Sequence, residues 1–197
     1  SGRIAAGSGA PAAAIARGRS AADAARARID DAVPTLLAAL EDTLSARTHR
    51  PWALQVVATR VETAAEIVMS VAAPSIGVCP DVSLIIIDQD VARRLVTLLL
   101  GLDGDEADTG TMGALDHHAI ARVLRGVADD VGVALASFLG RSAPRPAMIE
   151  SGWRAGARHL GAAAVTLAVE LEEPIRGRLL VAVPLASLER AQPVGGV

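Results

Sequence analysis

The sequence predicts a single mixed α/β domain, and three observations carry that reading. Apolar residues recur at helical spacing in two stretches, 29–44 and 120–138. Two apolar runs, 164–171 and 178–183, bracket the turn Glu-Glu-Pro-Ile-Arg-Gly and read as a β-hairpin. A strand that leads into a short helix occurs twice, at 82–101 and 178–192, which suggests an internal duplication. With 197 residues, 51% of them hydrophobic, the chain can bury one substantial core.

Taken in order, residues 1–27 consist largely of Ala, Gly, Ser and Arg, with Asp23 as the only acid. They read as a disordered or linker tail, with nascent helix only at 20–28. Lysine is absent from the whole chain and alanine is abundant throughout, so base-composition bias explains this segment better than a targeting peptide does. The folded domain is expected over 28–192, with 193–197 as a flexible end. Ile29, Val33, Leu36, Leu37, Leu40 and Leu44 form one helical stripe, and Pro34 within it predicts a start near Asp30 or Asp31, or a bend. Arg50 and Pro51 end that helix. Residues 54–61 read as a strand, and 66–71 as another, because Ile67, Met69 and Val71 alternate with Glu66, Val68 and Ser70.

After a Pro/Gly-containing stretch, 82–87 reads as a buried strand, and Asp88 is placed to cap a helix through Val91, Leu95, Leu98 and Leu99. The stripe Ile120, Leu124, Val127, Val131, Leu135 and Phe138 marks the best helix of the chain. Asp116 is expected as its N-cap, with Leu115 stapled onto Ile120. Pro184 should break the last strand ahead of a helical turn at Leu188.

Composition excludes several functions. The formal charge is −3, all positive charge is arginine, and aromatics are limited to Trp52, Phe138 and Trp153, so neither a basic nucleic-acid patch nor a base-stacking platform is expected. The longest apolar runs fall well short of the ~20 residues that span a bilayer, so no membrane insertion is expected. The single Cys79 has no disulfide partner within the chain and no adjacent base, and it reads as inert packing.

Polar chemistry concentrates in one connection. Gly101, Leu102, Asp103, Gly104, Asp105 and Glu106 follow an apolar helix, and Asp108 adds a further acid. A calcium loop counted from Asp103 would need ligands at alternating positions, glycine sixth and glutamate twelfth, but Ala107, Asp108 and Ala114 hold the fifth, sixth and twelfth places. His117 and His118 diverge by about 100° on a helix and cannot share a metal. The chain lacks G-x-S-x-G, G-x-G-x-x-G and, having no lysine, any Walker-type phosphate loop. The paired acids Asp129–Asp130 and Glu172–Glu173 read as solvated faces or turns. No catalytic residue, metal or cofactor is therefore expected. The segment 101–106 reads either as a capped connection or as a loop exposed to a partner protein: Gly101 stands where a helix end needs a left-handed residue, and Gly104 keeps the turn close to whatever meets it.

Four stretches taken together carry a resemblance: 29–52, SLIIIDQDVARRLVTLLLGLDG, ALDHHAIARVLRGVADDVGVALASFLG and EEPIRGRLLVAVPLASLERA. Their order resembles the middle domain of the flagellar motor switch protein FliM, of the CheC-like family. The resemblance covers about 29–192. It implies a three-layer α/β/α domain with a mostly antiparallel sheet and an internal pseudo-two-fold repeat. It also implies a non-enzymatic subunit of the motor-switch ring at the cytoplasmic face of the flagellar basal body. Such a subunit touches the rotor protein FliG through a G-G-x-G loop, meets lateral neighbours in the ring, and engages FliN-like protein and phosphorylated CheY.

Here the loop reads Gly101-Leu102-Asp103-Gly104, without the second glycine. The peptide that receives phosphorylated CheY is not recognisable in 1–27, and the small β domain that meets FliN is not part of the sequence, so the chain reads as a middle-domain excerpt or a reduced relative. CheC and CheX relatives dephosphorylate CheY with a glutamate and an asparagine three apart on a helix. This chain has no asparagine, and Asp30 and Asp129 are followed three residues on by Val33 and Gly132. That phosphatase and the related cytoplasmic ring component of type III secretion are the alternative readings.

Overall fold

A computed structural model describes residues 10–102 and 112–189. Helix α1 (Ala10–Thr48) buries Ile29, Ala32, Leu36, Leu40 and Leu44 along one stripe. It passes through Pro34, which is exposed, so the carbonyl that loses its helical partner there can be satisfied by water. The helix neither starts at Asp30 or Asp31 nor leaves 10–27 as coil. Alanine carries no side-chain entropy cost in a helix, and an alanine-rich segment continuous with a docked helix extends it. The helix expected only as nascent at 20–28 is thus continuous with α1 and reaches back to Ala10, whereas 1–9 and 190–197 lie outside the described residues.

The sheet holds six strands in the order β1-β5-β6-β3-β2-β4, and every pairing is antiparallel. These are β1 (Ala53–Thr63), β2 (Ser75–Cys79), β3 (Ser83–Ile87), β4 (Met148–Ser151), β5 (Ala163–Glu173) and β6 (Gly177–Pro184). The expected hairpin of 164–183 is β5–β6, paired from Ala164↔Pro184 to Leu171↔Gly177. Helices α3 (Gln89–Leu99) and α6 (Leu185–Glu189) follow β3 and β6, the two central strands.

The strand order carries a pseudo-two-fold axis between β3 and β6. Rotation exchanges β3 with β6, β2 with β5 and β4 with β1, so each half, β1-β2-β3 or β4-β5-β6, lends its first strand to the far edge of the other. The strand-into-helix repeat of the sequence is the inner part of this symmetry. Helix α1 precedes β1 as α4 (Ala114–Phe138) precedes β4, and the two long helices pack on each other and on one sheet face. That face holds the larger core, with Ile85, Ile87, Val165, Leu167, Val169, Val181 and Val183 beneath α1, α3 and α4. The opposite face holds a smaller one, where Ile67 and Trp153 from the short helices α2 (Ala64–Ser70) and α5 (Trp153–Gly156) cover Ile76, Val78, Leu84 and Ile86.

Two expectations are corrected locally. Residues 66–71 do not form a strand: Thr63 caps α2, its hydroxyl accepting the Glu66 amide while the Glu66 carboxylate accepts the Thr63 amide at 2.7 Å. This reciprocal cap outweighs the alternating pattern. Helix α4 starts at Ala114 with Gly113 as N-cap, so Asp116 is the third helical residue and accepts the Gly113 amide at 2.7 Å. Leu115 makes no staple, being 85% exposed. Strands β2 and β4 were not foreseen, since each is four or five residues long and β2 carries a glycine at its centre.

Candidate partner-binding site

Helix α3 begins as its sequence dictates: Asp88 is the N-cap and its carboxylate accepts the Val91 amide at 2.8 Å. Val91, Ala92, Leu95, Val96 and Leu98 are buried against the larger core, which fixes where the helix ends. At that end Gly101 adopts φ 80°, its amide donates to the Leu98 carbonyl at 3.0 Å, and the Leu102 amide reaches back to the Thr97 carbonyl at 3.1 Å. This is a Schellman motif, and it satisfies carbonyls that the helix end would otherwise leave open. The left-handed residue expected at Gly101 is therefore where it is needed.

Apolar side chains are exposed at this cap. In a Schellman motif the residue after the glycine often packs back on the helix, yet Leu102 is 56% exposed and Leu100 is 71% exposed. On the far side of the connection, Leu115 stands on the first turn of α4. Three leucines thus project from the two helix ends that border the connection, while Met112 packs on the core. Of the six expected contact residues, Gly101 and Leu102 are exposed at the end of α3. Asp103, Gly104, Asp105 and Glu106 lie outside the described residues. Sequence reasoning missed Leu100 and Leu115, although leucines within a short, polar-flanked helix end could have signalled them.

The two positions that a phosphatase would use lie elsewhere and are differently engaged. Asp30 is on α1, partly exposed beside Arg26 at 3.7 Å. Asp129 is on α4, where its carboxylate accepts the Ala147 amide at 2.5 Å and so anchors the segment leading into β4. Its neighbour Asp130 accepts the Thr43 hydroxyl of α1 at 2.7 Å. Gly132 is buried against Cys79, whose sulfur would collide with any β-carbon added there. Burial, reinforced by the nearby Asp129 carboxylate, pushes the Cys79 thiol up to about 11, so it stays protonated near neutral pH. His117 and His118 are both exposed on the first turn of α4, and among the described residues no group of three or more His, Cys, Asp or Glu is arranged to hold a metal ion. Among the same residues no helix is long and apolar enough to cross a membrane.

The fold is a three-layer domain with an antiparallel sheet and a two-fold repeat, of the kind built by the middle domains of flagellar switch proteins. In particular, the chain superimposes on the FliM middle domain from H. pylori with a TM-score of 0.60 at 18% identity, over 83% of this chain and 91% of that one. A chain of the FliG–FliM complex from H. pylori matches with a TM-score of 0.61 at 17% identity, over 77% and 90%. FliY from Thermotoga maritima matches with a TM-score of 0.59 at 14% identity, over 80% and 91%. No family model and no curated protein matches the sequence.

Proposed function

We propose that the chain is a non-enzymatic ring subunit of the flagellar motor switch. In this reading it binds a FliG-like rotor protein through 101–106 and the leucines that flank them, and meets further copies of itself laterally. The observation that carries the proposal is the exposure of Leu100, Leu102 and Leu115 at two capped helix ends. Apolar side chains held out on rigid supports cost little entropy when a partner covers them. The fold shared with a chain of the FliG–FliM complex supports the same reading, in which the chain sits at the cytoplasmic face of the flagellar base.

The test is calorimetry against the cognate FliG middle domain. Asp103→Arg places opposite charge and added bulk in the contact, and should cost about 1–3 kcal/mol of binding with the melting temperature nearly unchanged. Leu102→Ser should weaken binding in the same range without unfolding the domain, because the side chain is mostly exposed. Gly101→Ala is the control for the cap alone, since a left-handed alanine costs about 1–2 kcal/mol of stability wherever the partner sits. Equal affinity for the wild type, Asp103→Arg and Leu102→Ser would leave 101–106 as a connection only.

A further inference from the structure

Helices α1 and α4 run antiparallel: Thr43 donates to the Asp130 carboxylate, while Arg47, one turn further along α1, lies against Gly126, one turn back on α4. Gly126 is what makes room for it. A β-carbon there would stand 2.6 Å from the Arg47 guanidinium carbon and 2.7 Å from its Nε, so the flat guanidinium rests where α4 has no side chain. Arg122, one turn before Gly126, and Arg125, directly before it, are exposed on the same helix, as is Arg47 on its own. From Arg122 to the Gly126 seat is about 6 Å along the helix axis. Among the described residues none of these three arginines forms an ion pair.

Stability does not account for this arrangement. Like charges close together on a helix surface repel, and the chain as a whole is acidic, with a formal charge of −3, so the cluster is not a share of general basicity. The nearest acids along α4 are taken: Asp129 accepts the Ala147 amide and Asp130 the Thr43 hydroxyl. A small free anion is a poor match, because 122–126 lie inside α4, where backbone amides are already bonded, and Arg47 stands in the last turn of α1, at the negative end of its dipole. A row of carboxylates fits better. Each guanidinium is a planar fork that can hold a carboxylate through two parallel hydrogen bonds, and acids three or four residues apart on a helix repeat at the spacing of Arg122, Arg125 and the Gly126 seat.

We infer that Arg47, Arg122 and Arg125 dock an acidic helix of a second, different protein on the outer surface where α1 meets α4. This goes beyond the rotor contact proposed at 101–106. The seat on Gly126 holds the Arg47 guanidinium beside the other two before the partner arrives, so less side-chain freedom is lost on binding. Because the attraction is between exposed charges, it weakens as salt shortens the Debye length from ~30 Å at 0.01 M to ~10 Å at 0.1 M.

The experiment titrates the full chain into a labelled, alanine-based helical peptide with glutamates four residues apart, and reads fluorescence anisotropy at low and high salt. The same peptide with glutamine in place of each glutamate is the control. The glutamate peptide should bind at low salt and the glutamine peptide should not. Arg122→Gln combined with Arg125→Gln should weaken binding roughly tenfold, and Gly126→Ala, which keeps every charge but displaces the Arg47 guanidinium, should weaken it severalfold. Melting temperatures close to that of the wild type show that both variants are folded, as expected for exposed arginines and for a glycine inside a helix. Equal binding of the two peptides overturns the inference, as does affinity for the glutamate peptide unchanged in either variant. Inorganic phosphate that displaces the peptide at equal concentration would assign the arginines to a small anion instead. Self-association of the wild type that disappears in the Arg122→Gln, Arg125→Gln chain would assign them to a second copy, and either result likewise overturns it.

Discussion

At Gly77 a β-carbon would stand 2.9 Å from the Leu124 carbonyl oxygen and 3.0 Å from the Ala128 β-carbon, so α4 rests on β2 at a separation that only glycine permits. At Gly126 an added β-carbon would meet the Arg47 guanidinium, but that is the far end of a flexible, exposed arm. The two sites therefore respond differently to the same change. Gly77→Ala must move a strand or a helix backbone and should cost about 1–3 kcal/mol. Gly126→Ala lets Arg47 swing aside and gains helix propensity, for a change within about 1 kcal/mol of zero or slightly stabilising. Denaturant midpoints of the two variants check this, and a Gly77→Ala chain as stable as the wild type would mean that the α4–β2 spacing is slack. The spacing of apolar residues foretold which side of α4 is buried, but nothing in the sequence foretold which glycine touches backbone.

Among elements, α2 is the one that local chemistry decides most openly. Its Thr63–Glu66 cap follows the T-x-x-E pattern, legible at 63–66, but the alternation of Ile67, Met69 and Val71 pointed to a strand. Only Ile67 of these is buried, and Met69 is almost fully available to solvent. The backbone amide and then the hydroxyl of Thr63 stabilise the charged form of Glu66 and lower its pKa from the ordinary 4.5. A carboxylate with a depressed folded pKa adds stability that is present above its unfolded value and lost as pH falls through the folded one. The melting temperature of Glu66→Ala should therefore lie further below that of the wild type at pH 7 than at pH 3. A gap that does not narrow in acid would show that the carboxylate's charge does not contribute to the cap.

At the scale of the molecule, two-fold symmetry brings α1 and α4 side by side and places Asp30 and Asp129 on pseudo-equivalent helices. Positioning a water for in-line attack on a phosphoryl group requires an oriented polar side chain. Val33, buried Gly132 and an Asp129 carboxylate already accepting the Ala147 amide do not supply one. Phosphorylated CheY should accordingly decay at the same rate with and without this protein. Acceleration that disappears on mutating Asp30 or Asp129 would overturn the non-enzymatic reading.

The sequence by itself determined the parts whose energetics are local or periodic. The long stripes of α1 and α4, the Asp88 cap, the β5–β6 hairpin and the left-handed turn at Gly101 follow from side-chain spacing and from backbone preferences over a few residues. Within the candidate site, the sequence determined the cap and its acids. Tertiary structure decided the rest. Strands β2 and β4 are too short to announce themselves and exist because partners across the sheet satisfy their backbone groups. Leu100, Leu102 and Leu115 have the same apolar chemistry as the buried Leu95 and Leu98; they differ in lying where α3 has left the core and α4 has not yet entered it. The swapped sheet order, which brings β1 beside β5 and β4 beside β2, likewise depends on pairing between segments far apart in the chain, which no local spacing encodes.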